Sequence, residues 1–520
     1  MRIRTFFAAA ALGALIAAGA ASNSLAQAPA AAGSPARGGN AIIVLGVDAV
    51  RGLDPAFLFN LTPSGDANRM AALYGVLFWS DAKTGKVSPD IGKSLTPDAT
   101  GATWTLVLQP GVVFTDGTPL DAAAVKFNYD RIQNKATASP LAGLLAGAQV
   151  TVVDKTTLTI ALAAPNLQFD KVLSTSLTHI ASPKAIAEHP TDYAHHPVGA
   201  GPFMIGSWVK GDHMKLVRNP SYFAKERPWL DSVTFRVIRD PAQRINAVLT
   251  GQAQATIPGS DLSYAKSAVR SGLQVTSAPA GGGPMIMFNL KTAPFNDLRA
   301  RRGVQLALDV QDMASVIDPG SSAPLSLYGP TSPFYPARPA PVAQNREAAQ
   351  KLFDELAAEG KPVNFRITLT ASGFFKSIAE YLQSRLSQFR NVTVAIDIVD
   401  NATLDKRVFR DRNYQLSAQI VPVADPEPNL YKLLRTNGQT NHMGYSNPKV
   451  DAALEAGRGS TDAAVRTAAY ATLDTLVATD VPVILIRNQE SYTVHAPSLK
   501  GLTLHGDGSL LFDRLWSTAR

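Results

Sequence analysis

The chain has 520 residues, 46% hydrophobic and 17% charged, with 49 Lys and Arg against 41 Asp and Glu and no cysteine. The missing cysteine excludes disulfides, thiolate metal sites, a cysteine nucleophile and a lipid-bearing cysteine. The charges are scattered, without the basic run of a nucleic-acid or membrane-surface binder, and the length points to two or more lobes.

Arg2 and Arg4 open the chain, an apolar run follows from Phe6 to Ala21, and small residues stand at Ser24-Leu25-Ala26 and Ala26-Gln27-Ala28. This order reads as a secretory signal over residues 1–28, cleaved near Ala26 or Ala28, because the run is too short for a membrane span. Cleavage would remove only Arg2 and Arg4 among the charges, leaving 47 basic against 41 acidic residues, or +6. Residues 29–40 are Ala/Pro/Gly-rich and read as a flexible lead-in. No later stretch reaches about 18 uninterrupted apolar residues, so the expectation is an exported, periplasmic, soluble protein without a lipid anchor.

From Ala41 the pattern is α/β. Ala41–Val47 and Thr103–Leu108 read as strands, and the second ends on the turn Gln109-Pro110-Gly111. Asp121 is a good N-cap for a helix over Ala122–Ile132, with Val125, Tyr129 and Ile132 on one face. Strands follow around Lys155 within Thr151–Leu162, and then at Phe203–Val209, His213–Arg218 and Val233–Ile238. Asp240-Pro241 opens a helix that stops at Gly251. In the second half, strands are expected at Met285–Leu290, Phe365–Thr370, Val392–Val399, Leu416–Val421 and Val481–Ile486. Helices are expected at Leu298–Leu308, Arg346–Ala358, Phe374–Phe389, Lys449–Ala456 and Asp462–Ala478. No period of 20–50 residues recurs, which excludes a solenoid or propeller.

Trp104–Arg131, with its G-V-V-F-T-D-G-T-P turn, resembles the peptide/nickel class of extracellular solute-binding proteins, family 5, which serve ABC importers. Leu53-Asp54-Pro55, Ala72-Leu73-Tyr74 with Leu77, Pro197–Pro228, Pro294–Asp309 and Asn441–Asp451 carry the resemblance, in order, over nearly the whole chain. It implies an α/β, two-lobed periplasmic binding protein fold with mixed sheets, a hinge between the lobes and an extra small domain on the first lobe. By that analogy lobe I spans 41–77, 196–280 and 487–520, the accessory domain 78–195, and lobe II 281–486. A monomer with no cofactor is implied, handing a peptide or peptide-like solute to an inner-membrane permease and its ATPase subunits. An opine, a metal chelate such as a nickel complex, or a sugar is the alternative ligand on the same fold.

The resemblance gives Asp425 the role of accepting a ligand's ammonium group, although V-P-V-A-D lacks the Trp that peptide binders usually place before it. The competing role is a cap for the helix beginning near Leu430. Ser372, Gly373 and Phe374 follow a strand and open a helix, where backbone N–H groups can meet an anionic ligand end, and Lys376 is the nearest cation. Phe57, Phe59, Tyr74, Phe334 and Tyr335 stand beside turns and are candidate cleft aromatics, with core packing as their other reading. His442 is a candidate ligand contact, and His195-His196 lacks a third ligand at metal-site spacing, so no metal is assigned.

A secreted hydrolase is the rival class. S-x-x-K recurs at Ser80, Ser207, Ser263 and Ser446, but Lys83-Thr84-Gly85 overlaps the first of these instead of lying far downstream, and S-D-N is absent. Gly92-Lys93-Ser94 lacks the earlier glycine of a phosphate loop, and neither G-x-S-x-G nor H-E-x-x-H occurs. No catalytic site is assigned.

Overall fold

The computed structural model describes residues 34–49, 51–57, 65–259, 262–336 and 342–518, without the side chains of 259, 279 and 280. The signal segment and Phe59 lie outside the described residues. One strand organises the molecule. Gln274–Phe288 pairs antiparallel with Gln489–His495 along residues 274–280, and with Leu416–Val423 along residues 281–288. Its first half belongs to one sheet and its second half to another.

On the first-lobe side the strand order continues through Gln489–His495, Ala255–Gly259, Asn40–Leu45, Ser232–Val237, His213–Arg218 and Phe203–Val209. On the second-lobe side it continues through Leu416–Val423, Val363–Thr370 and Val392–Val399, and Val483–Leu485 also pairs with the long strand. Parallel and antiparallel pairings mix in both halves. The second-lobe sheet buries Ile286, Phe288, Leu416 and Ala418 on one face, and Met285, Met287 and Val423 on the other. Such period-2 alternation between two apolar layers is what a sheet covered by helices on both faces requires.

A separate antiparallel sheet, in the order Gly92–Pro97, Thr103–Leu108, Thr157–Ala161, Gln149–Val152, packs with helix Ala122–Gln133 around Trp104, Leu106, Phe114 and Tyr129. Asp121 caps that helix by accepting the Ala124 N–H at 3.0 Å. The segment after this domain turns back early. Ala181, Ala185 and Tyr193 are buried in the first lobe's core with Met70, Phe203 and Phe235.

The crossing between the lobes is glycine-built. A Cβ on Gly281 would lie 2.4 Å from the Gly329 nitrogen, and one on Gly283 (φ +128°) 2.4 Å from the Arg487 carbonyl oxygen. Only glycine lets the outgoing chain pass this close to the 328–329 segment at Gly281 and to the returning chain at Gly283. The same Gly and Pro residues make A-P-A-G-G-G-P read as a loop in the sequence, so the expected strand Met285–Leu290 is only the end of a much longer one. The returning strand is shorter than expected, Val483–Leu485, because Val481 takes a left-handed φ of 49° as the C-cap of helix Ala463–Asp480. Arg487 follows it and forms a 2.6 Å ion pair with Asp318, both nearly inaccessible. Among the described residues, no helix is long and apolar enough to cross a membrane.

Candidate ligand-binding cleft

A cavity of about 160 Å³ lies between the small domain's hairpin and the second lobe, beside the chain crossing at Gly281. Its walls are the hairpin tip Ala82–Lys86, Lys171, the crossing residue Gly281, Thr331–Phe334, Ala424–Asp425 and Arg466. A ligand pocket usually measures about 300–1,000 Å³, so this volume suits an end group of a solute. Among the described residues, no histidine lines the cavity.

Asp425 follows strand Leu416–Val423, and its Oδ1 accepts the Glu427 N–H at 3.0 Å. This local bond turns the chain without capping the next helix, whose N-cap position is Pro428 and lacks a side-chain cap. Both carboxylate oxygens instead accept from Arg466 Nη2 at 2.9 Å. Arg466 rises from the first turn of helix Ala463–Asp480, whose start is fixed by Asp462. Its guanidinium lies over the Phe334 and Tyr470 rings, 4.8 and 5.5 Å from their centroids. Burial opposes its charge, yet the adjacent Asp425 carries its pKa above the usual arginine value.

The facing wall is basic. Asp81 accepts from the backbone N–H groups of Lys83 and Thr84 and from the Thr84 hydroxyl, which folds the hairpin tip. Lys171 Nζ donates to the Gly85 carbonyl at 2.9 Å and stands 3.4 Å from Asp170. Burial raises the Asp170 pKa, opposed by Lys171 and reinforced by Asp425. Lys83 and Lys86 form no ion pair among the described residues. With Lys171 opposed by Asp170, Arg466 by Asp425 and Lys83 by the nearby Asp81 carboxylate, Lys86 leaves the cavity a positive excess.

Beside the cavity the small domain is tied to the second lobe. The Leu167 N–H donates to the Arg458 carbonyl at 2.9 Å, and Gln168 Nε2 to the Ser460 carbonyl at 2.8 Å. Glu427, buried between them, accepts from Asn166 Nδ2 at 3.3 Å and lies 3.7 Å from Arg458. Burial pushes its carboxyl up to about 7, with Arg458 opposing. A larger cavity, about 420 Å³, is lined by Arg366, Thr368, Asp397, Arg407 and other second-lobe residues, and so does not lie between the lobes.

Of the residues singled out from the sequence, the structure brings Asp425 and Phe334 together at the cavity. Tyr335 adjoins Phe334 without lining it. Ser372 is the N-cap of helix Gly373–Leu386, accepting the Phe375 N–H at 3.4 Å, and Phe374 packs on the second-lobe core beside Arg487. Lys376 pairs with Glu380 on the exposed helix face. Tyr74 is buried in the first-lobe core, and its hydroxyl donates to the Leu53 carbonyl at 2.6 Å and meets the Tyr193 hydroxyl at 3.0 Å. Phe57 is partly exposed, with Arg131 5.8 Å from its ring centroid. His442 packs against Phe409, 5.0 Å between centroids, and burial, with Arg412, pushes its pKa down to about 4. Tyr74 lies in the first-lobe core, and the half-buried His442 does not line the cavity.

Arg466 carried no sequence signal. It reaches Asp425 over 41 residues, and a basic residue in a first helical turn reads as a solvated one. Lys83 drew notice only through an enzyme-like tripeptide.

The profile of the bacterial extracellular solute-binding proteins, family 5, matches residues 86–441. The chain belongs to this family. The glutathione-binding protein GsiB of Salmonella paratyphi A is 26% identical over 456 residues, which cover 85% of this chain and 88% of that protein. The oligopeptide-binding protein AppA from Bacillus subtilis, solved with a nonapeptide, superposes with a TM-score of 0.78 at 19% identity, covering 93% of this chain and all of that one. AgaA from A. tumefaciens R10, solved with agropinic acid, gives 0.78 at 20% identity, covering 93% and 99%. The two-lobed fold expected from the sequence is therefore the observed one.

Proposed function

We propose that this family 5 protein is the periplasmic receptor of an ATP-driven importer, closing two lobes over a peptide-like solute and passing it to a membrane permease with ATPase partners. Its movement is a rotation of lobe II, residues 281–486, about the chain crossings, with lobe I contributing 41–77, 196–280 and 487–520. The small domain, placed at 78–195 by sequence, supplies the hairpin that covers the ligand. Two short crossings confine the motion to few dihedrals, the hinge closure that periplasmic binding proteins use. The similarity to a glutathione-binding protein and to a structure holding a nonapeptide supports the ligand class.

The observation that carries the site is the engagement of Asp425 by Arg466 opposite Lys83 and Lys86, which form no ion pair within 4.0 Å among the described residues. An ammonium group would have to displace a guanidinium whose Nη2 already donates to both carboxylate oxygens, and charge-assisted hydrogen bonds are about twice as strong as neutral ones. The cavity instead suits a carboxylate, held by Lys83, Lys86 and Arg466 in a site whose walls concentrate the field. The role first given to Asp425 passes to these cations, and Asp425 orients Arg466. An acidic opine fits the same end pocket, and the agropinic acid complex of AgaA supports that second reading.

A random library of di- to tetrapeptides, offered with free ends, N-acetylated or C-amidated, separates these roles by mass spectrometry of what the protein retains. Amidation should cut retention at least tenfold and acetylation should not. Arg466→Gln should mimic amidation, since removing one partner of a buried charge contact costs about 2–5 kcal/mol. Asp425→Asn should leave retention within about threefold. The opposite order, with acetylation and Asp425→Asn abolishing retention, restores the ammonium anchor, while retention of an opine and no peptide favours the second reading.

A further inference from the structure

The small domain meets lobe II through bonds made outside the cavity. Besides the Leu167 N–H and Gln168 Nε2 bonds to the Arg458 and Ser460 carbonyls, Gln439 Nε2 reaches back from lobe II and donates to the Pro140 carbonyl. One glutamine thus crosses in each direction, and neither lines the cavity. Resting on the reading of a closing receptor, we propose that the small domain is its clasp. Gln168 and Gln439 hold lobe II closed and set how long solute is retained, without touching it.

The small domain rides on lobe I, whose core buries Ala181, Ala185 and Tyr193. Rotation of lobe II about the crossing therefore parts residues 140 and 166–168 from residues 439 and 458–460. A contact beside the pivot behaves differently. Lys266 of lobe I holds the Gly320 carbonyl at 3.1 Å, two residues from Asp318 of the crossing pair. Both sides of the clasp are set before they meet. The Asn166 N–H donates to the Gly101 carbonyl at 3.0 Å, and the Asn166 carbonyl accepts from Trp104 Nε1 at 3.0 Å. Asn166 Oδ1 accepts the Gln168 N–H at 2.9 Å, which fixes the entry to helix Phe169–Ser176. On lobe II, Ser460 follows helix Pro448–Arg458, and its Oγ accepts the Asp462 N–H at 3.0 Å. Gln439 stands in the turn after helix Asn429–Leu434, where a Cβ on Gly143 would lie 3.1 Å from its Cδ. Such preset partners lose little freedom when they join.

Asn166 and Gln168 are buried at this contact, and Glu427 beside them. On opening, water replaces each neutral bond, so one bond shifts the equilibrium by only about two- to tenfold. Several together hold the closed form and still let it open, as a receptor that must hand over its solute requires. Because none of them involves solute, they scale the affinity of every solute that needs the closed form by one common factor. A residue that touches solute changes different solutes by different factors.

Release of retained free-ended di- to tetrapeptides, followed by mass spectrometry after rapid dilution of the loaded full chain, tests the clasp. The double variant Gln168→Ala/Gln439→Ala should release every retained peptide about tenfold faster, by a common factor, with association rates unchanged. Gln439→Ala alone, on an exposed turn, should release about threefold faster, and it decides the matter where circular dichroism shows the double variant unfolded. Unchanged release, or factors that differ from peptide to peptide, would overturn the clasp. Retention of no peptide by the wild type removes the peptide reading alone, and solution scattering of the ligand-free chain then decides the clasp. A larger radius of gyration in the variants supports it, and an equal one overturns it.

Discussion

Two arginine–aspartate pairs near the centre of the molecule do different work. Arg487–Asp318 lies at the chain crossing with side chains 6% and 5% exposed, whereas Arg466–Asp425 lies at the cavity with side chains 12% and 16% exposed. The first is sealed between packed elements, so neither charge can exchange its partner without leaving the other buried. The second opens onto a cavity with further cations, so its arginine can share its charge with a solute. Burial, more than the chemistry of the pair, separates this structural contact from the one proposed to recognise solute.

The comparison breaks most sharply at the crossing. Removing one partner of a buried pair costs about 3–5 kcal/mol, so Arg487→Met should lower the urea midpoint strongly, and a loss below about 1 kcal/mol would place this pair in the same class as the cavity pair. Glu427, beside Arg458, is the intermediate case, and pH is the tool that reads it. Its folded pKa, about 7, exceeds the usual 4.5, so the folded state takes up the proton. Its contribution is complete below about pH 4.5 and disappears as pH rises through about 7. Thermal melts across that interval should show wild-type stability falling with pH relative to Glu427→Gln, and parallel curves would refute the shift. The smallest effect sharpens the boundary of the site. Ser372→Ala removes a helix cap and should cost about 1 kcal/mol with solute retention unchanged. A loss of retention would return the loop at residues 371–374 to the cleft.

Much of the fold was legible because local signals agreed with it. Asp121 before an apolar-periodic run, Asp240-Pro241 and Asp462 each start a helix in the structure. The alternation of residues 203–209 and 213–218 gives paired strands. Strand Gln489–His495 was missed because Q-E-S-Y-T-V-H has too few apolar residues to alternate clearly, and its place is set by neighbours on both sides. Of the site, Asp425 and Phe334 were legible and their partners were not.

By itself, the sequence determined the α/β elements, because caps, turns and alternating strands are written within a few residues of where they act, while the two-lobed fold came from the resemblance of its motifs to a family. The excess of cations was also written there, as a count without positions. Only the tertiary structure decided that Arg466 engages Asp425, that Lys83 and Lys86 line the same cavity, and that Tyr74 is packed inside. These contacts join residues tens to hundreds of positions apart. Their energy depends on burial and on which charge stands opposite, quantities that exist only once the lobes are folded together.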